Sequence, residues 1–125
     1  MKILLIIFFC GGAGSVTRYL LINYFNRIMP SSIPYGAMLV NLVGALTIGI
    51  IYYFITTKLL INEQLKIFFT IGFLGGFTTF STFNLDFFKL IESGNLGLAI
   101  TYAAITFIGT ITLFYIGFSL AKLVA

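Results

Sequence analysis

The hydrophobic residues of this chain fall into four long runs, each separated from the next by a short polar stretch. The runs cover residues 3–21, 35–55, 66–91 and 96–124. A helix needs about 20 apolar residues to cross the hydrocarbon core of a bilayer. The pattern therefore predicts one all-α membrane domain over residues 1–125, with four transmembrane helices. Because the connections are short, neighbouring helices are predicted to be antiparallel.

Polar residues, prolines and glycine mark the predicted connections. The first contains Asn23, Asn26, Arg27 and Pro30–Pro34, the second contains Asn62-Glu63-Gln64, and the third is Glu92-Ser93-Gly94-Asn95. The predicted spans and these connections together account for the chain, so a second domain is not expected.

Composition supports a lipid environment and excludes several functions. The 125 residues are 60% hydrophobic and 8% charged, which is more apolar surface than a soluble domain of this length could bury. The net charge of +4 is scattered over the ends of the apolar runs, so nucleic acid is not an expected partner. With no His and one Cys, Cys10, the chain is not expected to be an enzyme, because no nucleophile–base pair or metal cluster is visible.

Basic residues are nearly balanced between the two predicted sides of the membrane. One side carries four, Lys2, Lys58, Lys66 and Lys122, and the other carries three, Arg18, Arg27 and Lys89. Orientation is normally set by an excess of Lys and Arg in cytoplasmic loops. The balance is consistent with a weak orientation signal, or with a chain that inserts in both directions and forms an antiparallel dimer.

Small residues recur four positions apart in three of the predicted helices. The pairs are Gly11 with Ser15, Ala45 with Gly49, and Gly117 with Ala121. Such pairs let helix backbones approach closely in a membrane. Since four helices enclose little space for a permeation path, a multimer is expected.

The third apolar run is interrupted by the sequence FLGGFTTFSTF, residues 73–83. Gly75-Gly76 weakens the helix, and hydroxyl side chains follow. Irregular backbone at membrane depth persists only where it is buried in protein or lines an aqueous cavity. Carbonyl groups freed from such a helix are suitable ligands for Na⁺. We therefore predict a third helix that is broken within the membrane.

Two aromatic residues of this stretch, Phe80 and Phe83, are three positions apart and so share a helix face. Among 15 phenylalanines they are readily explained as core or lipid-facing residues. An aromatic ring also has a positive edge, and ring edges beside amide and hydroxyl donors could hold a small anion.

Further polar residues lie inside the other apolar runs. An amide at Asn41 is costly in hydrocarbon unless it finds partners, so Asn41 either joins helices or faces water. Arg18 either extends to the lipid headgroups or lines a vestibule. Tyr102, Thr106 and Thr110 recur every four residues and form a polar stripe on the fourth helix. A Thr hydroxyl can also bind its own helix carbonyl.

The sequence GGFTTFSTF resembles the signature of the Fluc/CrcB fluoride channels. The similarity extends to GGAGSVTRYL in the first run and to GAMLVNLVGA in the second, and it covers essentially the whole chain. The resemblance implies a fluoride channel in the cell membrane that exports fluoride passively. It also implies an antiparallel homodimer of dual topology, with two pores at the subunit interface and a central structural Na⁺.

The resemblance assigns roles to individual residues. Phe80 and Phe83 would contact fluoride through their ring edges, and Asn41 would donate an amide N–H. Gly75 and Thr78 would offer carbonyl oxygens to Na⁺. The other implied residues are Ser81 and Thr82 in the hydroxyl lining of the pore, Tyr102, Thr106 and Thr110 in the polar track, and Arg18 in the vestibule.

Two other functions remain open from the sequence. A small multidrug-type transporter, coupled to protons, would need a carboxylate within the membrane, and Asp86 is the only acidic residue outside the predicted loops. A membrane assembly subunit without a conduction path would need Asn41 and Phe80 for packing alone.

Overall fold

The chain folds into helices joined by short turns. A computed structural model describes residues 1–57 and 61–125, so Lys58 lies outside the described residues. Every regular element in these two ranges is helical. The elements are α1 (Lys2–Ile28), α2 (Tyr35–Thr57), α3 (Glu63–Ile67), a π-helical segment (Phe68–Leu74), α4 (Gly75–Phe77), α5 (Phe80–Glu92) and α6 (Leu96–Val124).

Within residues 1–57 and 61–125, four helical stretches are long and apolar enough to cross a membrane. Three are α1, α2 and α6, and the other is Glu63–Glu92, here called the third span. The prediction of a multi-pass membrane protein with four membrane-spanning helices is confirmed.

The first helix is longer than its predicted span. α1 continues to Ile28, so the prediction that Asn23, Asn26 and Arg27 belong to a loop is wrong. Asn26 has a tertiary function, because its Oδ1 accepts a hydrogen bond from the backbone N–H of Gly36 at 3.2 Å. That N–H lies in the first turn of α2, where backbone donors have no partner within their own helix.

The third span begins earlier than predicted and changes its backbone geometry along its length. Asn62 caps it by accepting a hydrogen bond from the Leu65 N–H at 2.8 Å, so α3 begins at Glu63. After the π-helical segment and α4, the backbone is extended at two residues. Thr78 has φ −83° and ψ 154°, and Thr79 has φ −151° and ψ 124°. The next helix, α5, begins at Phe80.

The turn between α5 and α6 is where the sequence predicted it. Gly94 has φ +77°, a left-handed conformation that glycine adopts without a steric cost. The N–H of Asn95 donates to the Leu90 carbonyl, and the N–H of Gly94 donates to the Ile91 carbonyl, each at 3.0 Å. These two bonds form a Schellman motif, which satisfies the last carbonyls of α5.

Glycines bring the helices into backbone contact between α2 and α6 and between α1 and the third span. α2 packs along α6, and α1 packs along the π-helical segment and α4. A Cβ at Gly49 would clash with the Phe114 carbonyl, and one at Gly117 would clash with the Leu46 carbonyl. A Cβ at Gly14 would likewise clash with the Phe73 carbonyl. The prediction that small residues mediate close helix contacts is confirmed.

Candidate functional site

The Asn41 side chain binds the extended backbone that precedes α5. Its Nδ2 donates to the Thr79 carbonyl at 2.9 Å, and its Oδ1 accepts from the Thr79 N–H at 2.8 Å. Both residues are buried. The Asn41 amide therefore replaces the backbone partners that Thr79 would have within a helix. It also joins α2 to the third span, which is one of the two roles considered for Asn41 from the sequence. One of the two N–H groups on Nδ2 suffices for this contact, which leaves the second available to a ligand.

The Thr79 hydroxyl caps the following helix. Its Oγ1 accepts a hydrogen bond from the Thr82 N–H at 3.2 Å, and it also contacts the hydroxyls of Ser81 at 3.1 Å and Thr82 at 3.2 Å. An N-cap hydroxyl satisfies one of the four free N–H groups at the start of a helix. The three hydroxyls consequently form one connected group at the start of α5.

The extended backbone at Thr78 and Thr79 changes the donor that faces the Gly75 carbonyl. In a continuous α-helix the N–H of Thr79 would donate to the carbonyl of Gly75. Here that N–H donates to Asn41 instead. A carbonyl without its helical donor is a strong acceptor that needs another partner.

Two side chains of α1 bind the neighbouring carbonyls. Arg18 Nη1 donates to the Thr78 carbonyl at 3.3 Å, and Ser15 Oγ donates to the Gly76 carbonyl at 3.4 Å. Arg18 thus contacts the third span through its guanidinium group.

Phe80 and Phe83 form a ring pair, as their spacing predicts. Their centroids are 5.4 Å apart, with an interplanar angle of 27°. Phe83 is buried and also stacks on Tyr102 at 5.3 Å, whereas Phe80 is 65% exposed in the single chain. The stack fixes Phe83 against α6 and leaves Phe80 on an open face.

The polar stripe of α6 has three different environments. The Tyr102 and Thr106 hydroxyls are buried and make no hydrogen bond of ordinary geometry with the described residues. Asp86 lies close enough to influence Tyr102 electrostatically, although the hydroxyl is outside hydrogen-bond geometry. Thr110 Oγ1 donates to the Thr106 carbonyl at 2.7 Å. A buried hydroxyl without a partner is costly, so Thr106 is available to a ligand or water, whereas the Tyr102 hydroxyl lies close to the Asp86 carboxylate.

A groove of about 380 Å³ brings most of the predicted site residues together. The predicted site residues that line the groove are Asn41, Gly75, Thr78, Phe80, Phe83, Thr106 and Thr110. Four predicted residues, Arg18, Ser81, Thr82 and Tyr102, lie outside that lining. The groove is mainly apolar, and its polar groups are amide, hydroxyl and carbonyl groups without a formal charge.

Asp86, the carboxylate required by the multidrug-type alternative, lies elsewhere. It lines a second cavity, of about 640 Å³, together with Lys89, Ser93 and the connection between α1 and α2. It is therefore not part of the groove that contains Asn41 and the ring pair.

Sequence reasoning gave no individual role to Thr79, and it gave Ser15 a role in helix packing alone. Thr79 follows the polar-before-apolar pattern of an N-cap, so its capping role could have been predicted from its position before α5. The contact of Ser15 with a carbonyl 61 residues away depends on helix packing, and no local signal indicates it.

Comparison with known proteins gives a consistent result over nearly the whole chain. The family model described as "CrcB-like protein, Camphor Resistance (CrcB)" matches residues 5–118. A protein of Citrifermentans bemidjiense named fluoride-specific ion channel FluC is 38% identical, covering 98% of each chain. Proteins with the same name from Leptospira interrogans (37% identical, 97% of this chain and 95% of the relative) and Phocaeicola vulgatus (41%, 94% and 93%) are similar. On this evidence, the chain belongs to the CrcB family.

Proposed function

We propose that this protein is a fluoride channel that lets fluoride leave the cell passively. The observation that carries the proposal is the groove in which neutral donors and an aromatic pair lie together. The naming of the relatives as fluoride-specific channels supports the same choice of ion. Passive conduction requires no catalytic group, and the function is accordingly that of a channel rather than an enzyme.

The groove suits a small anion because its donors are dipoles rather than charges. Fluoride loses hydration energy when it enters a narrow path, and hydrogen-bond donors must replace that water. The second N–H of Asn41 and the Thr106 hydroxyl are such donors in the groove. The hydroxyls of Ser81, Thr82 and Tyr102, which lie outside the groove lining, are proposed to continue the polar path beyond it. A conducting site must bind the ion firmly enough to admit it and weakly enough to release it. Neutral donors meet both conditions better than a fixed charge.

Phe80 and Phe83 would contribute their ring edges. Hydrogen atoms at the edge of an aromatic ring carry partial positive charge. The packing of Phe83 against Tyr102 and Phe80 limits its rotation. A fixed ring edge costs little reorganisation when an anion arrives, which favours rapid passage.

We also propose that a Na⁺ ion binds between two copies of the chain, at the carbonyls of Gly75 and Thr78. The carbonyl of Gly75 has lost its helical donor to Asn41, and the Thr78 carbonyl has a second lone pair beyond the one that Arg18 uses. Oxygen donors of this kind suit a hard cation. When bound, the ion would supply positive charge that offsets the loss of water by fluoride.

The second copy is proposed to be antiparallel to the first. The groove, Phe80 and the Gly75 carbonyl all lie on one open face of the single chain. A second copy covering that face would enclose the groove and bring a second pair of carbonyls to the ion. The four-to-three balance of basic residues permits both orientations.

Fluoride efflux from liposomes tests the channel function. Purified protein reconstituted into fluoride-loaded liposomes is expected to release fluoride when the membrane potential is clamped, and chloride-loaded liposomes are the control. We expect the fluoride-loaded liposomes to release their fluoride completely. The chloride-loaded liposomes are expected to release no more chloride than protein-free liposomes do. Equal release of both anions, or of neither, would contradict the proposal.

Labelling of a single introduced cysteine tests dual topology. Ser32 lies in the exposed connection between α1 and α2, and Cys10→Ala removes the native thiol. In cells that express Ser32→Cys in that background, a membrane-impermeant maleimide applied outside is expected to label about half of the copies, since both orientations are populated. Labelling of lysed cells gives the total number of copies that carry the cysteine. Labelling of all copies, or of none, would show a single orientation.

A further inference from the structure

Arg18 is positioned by the glycine contacts of α1. Gly11, Gly14, Ser15 and Arg18 follow one another at helical spacing and so share one face of α1. This face is in backbone contact with the third span, because added Cβ atoms at Gly14 or Gly76 would clash with the opposite backbone. Arg18 is thereby held against the residues at the end of α4.

The group that Arg18 binds is the negative end of a helix. The helical stretch from Glu63 ends at Phe77, and the carbonyls at a helix C-terminus carry partial negative charge that attracts cations. The half-buried Arg18 donates to the carbonyl of Thr78, the next residue. Among the described residues, the one ion pair joins Lys66 and Glu63. Arg18 therefore has no carboxylate within ion-pair distance among these residues.

We propose that Arg18 is a tethered cation that shares the Thr78 carbonyl with the central metal ion, and so sets how strongly the protein depends on Na⁺. The inference rests on the proposed function, which places Na⁺ at the same carbonyl. A carbonyl oxygen can accept two partners, so Arg18 and Na⁺ bind together. Arg18 is a positioning residue here, because it acts on the carbonyl rather than on fluoride.

Two opposite effects follow for a variant without this charge. Loss of Arg18 leaves the end of α4 without its cation, so the protein becomes less stable when Na⁺ is absent. It also removes the repulsion between two like charges at one carbonyl, so Na⁺ binds more tightly. The Na⁺-dependent part of the stability is therefore larger in the variant than in the wild type.

The test is thermal unfolding of the purified protein in detergent over a Na⁺ titration, with choline keeping the ionic strength constant. Arg18→Met removes the charge and the donors, and Arg18→Lys keeps the charge. Arg27→Met, at the exposed end of the same helix, is the matched control. For Arg18→Met we expect a lower melting temperature without Na⁺ and a Na⁺ midpoint lower by roughly fivefold. Arg18→Lys and Arg27→Met are expected to keep the wild-type midpoint within about twofold.

An Arg18→Met protein with the wild-type melting temperature and midpoint would overturn the inference. If that variant does not fold, Arg18→Gln is measured in the same way, and a wild-type midpoint there would also overturn it. A complete lack of response to Na⁺ in every protein, wild type included, would overturn it too. The proposed channel function is judged separately, by fluoride efflux from liposomes containing the wild type.

Discussion

Replacement of Asn41 by leucine is expected to abolish fluoride efflux and to destabilise the fold. Leucine has a similar size but cannot form the two hydrogen bonds to the Thr79 backbone. The buried N–H and carbonyl of Thr79 would then lack partners, at a cost of about 1–3 kcal/mol each. We expect a total loss of about 3 kcal/mol in the free energy of unfolding, because part of the backbone can relax towards other partners.

The loss of efflux has a separate cause. Asn41 holds Thr79 in its extended conformation, which keeps the Gly75 carbonyl free of its helical donor. It also places an N–H in the groove. Efflux from liposomes containing Asn41→Leu is therefore expected to match that of protein-free liposomes, even at temperatures where the variant is folded.

Asn23→Leu is the matched control for this variant. Asn23 is an exposed amide near the end of α1 and does not line the groove, so its replacement is expected to leave both efflux and unfolding close to the wild type. A folded Asn41→Leu protein with wild-type efflux would contradict a role in conduction. It would instead favour the reading in which Asn41 serves packing alone.

The four membrane-spanning helices could be predicted because length and hydropathy depend on the chain alone. The end of α1 could not, since Asn26 is compatible with either a loop or a helix. The hydrogen bond between the Asn26 side chain and the Gly36 N–H in α2, ten residues away, favours the helix. Polar residues near a helix end indicate a loop only when no neighbouring helix needs their side chains.

The residue types of the groove could be predicted more completely than their contacts. Asn41 can be predicted because a polar residue in an apolar run requires a reason, and the Phe80–Phe83 pair can be predicted from its three-residue spacing. The role of Thr78 follows from the family resemblance. The partner of Asn41 is 38 residues away, and no periodicity within one helix encodes such a pairing. The same holds for Arg18, whose contact with Thr78 spans 60 residues.

The glycines of α1 show the same limit and lead to the second large effect. Gly12 and Gly14 are two residues apart in one apolar helix, and the sequence does not distinguish them. In the structure nothing lies within 4 Å of a Cβ added at Gly12. A Cβ at Gly14 would clash with the Phe73 carbonyl and lie 2.9 Å from the Phe77 backbone nitrogen. The two positions should therefore respond very differently to the same substitution.

Gly14→Ala is expected to lower the free energy of unfolding by about 3 kcal/mol, at the upper end of the cost of overpacking. The obstructing atoms belong to the backbone of the third span, so the methyl group can be accommodated only if α1 moves away. That movement would withdraw Arg18 from the Thr78 carbonyl and Ser15 from the Gly76 carbonyl. Thermal unfolding in detergent, followed by circular dichroism, is expected to show a midpoint lower by roughly 10 °C.

Gly12→Ala controls for the change in helix propensity. Alanine is favoured over glycine inside a helix by about 1 kcal/mol, so this variant should be as stable as the wild type or slightly more stable. The difference between the two variants isolates the contact between α1 and the third span. Equal stability of Gly12→Ala and Gly14→Ala would mean that this contact does not hold the helices together, and that Arg18 and Ser15 reach their carbonyls without it.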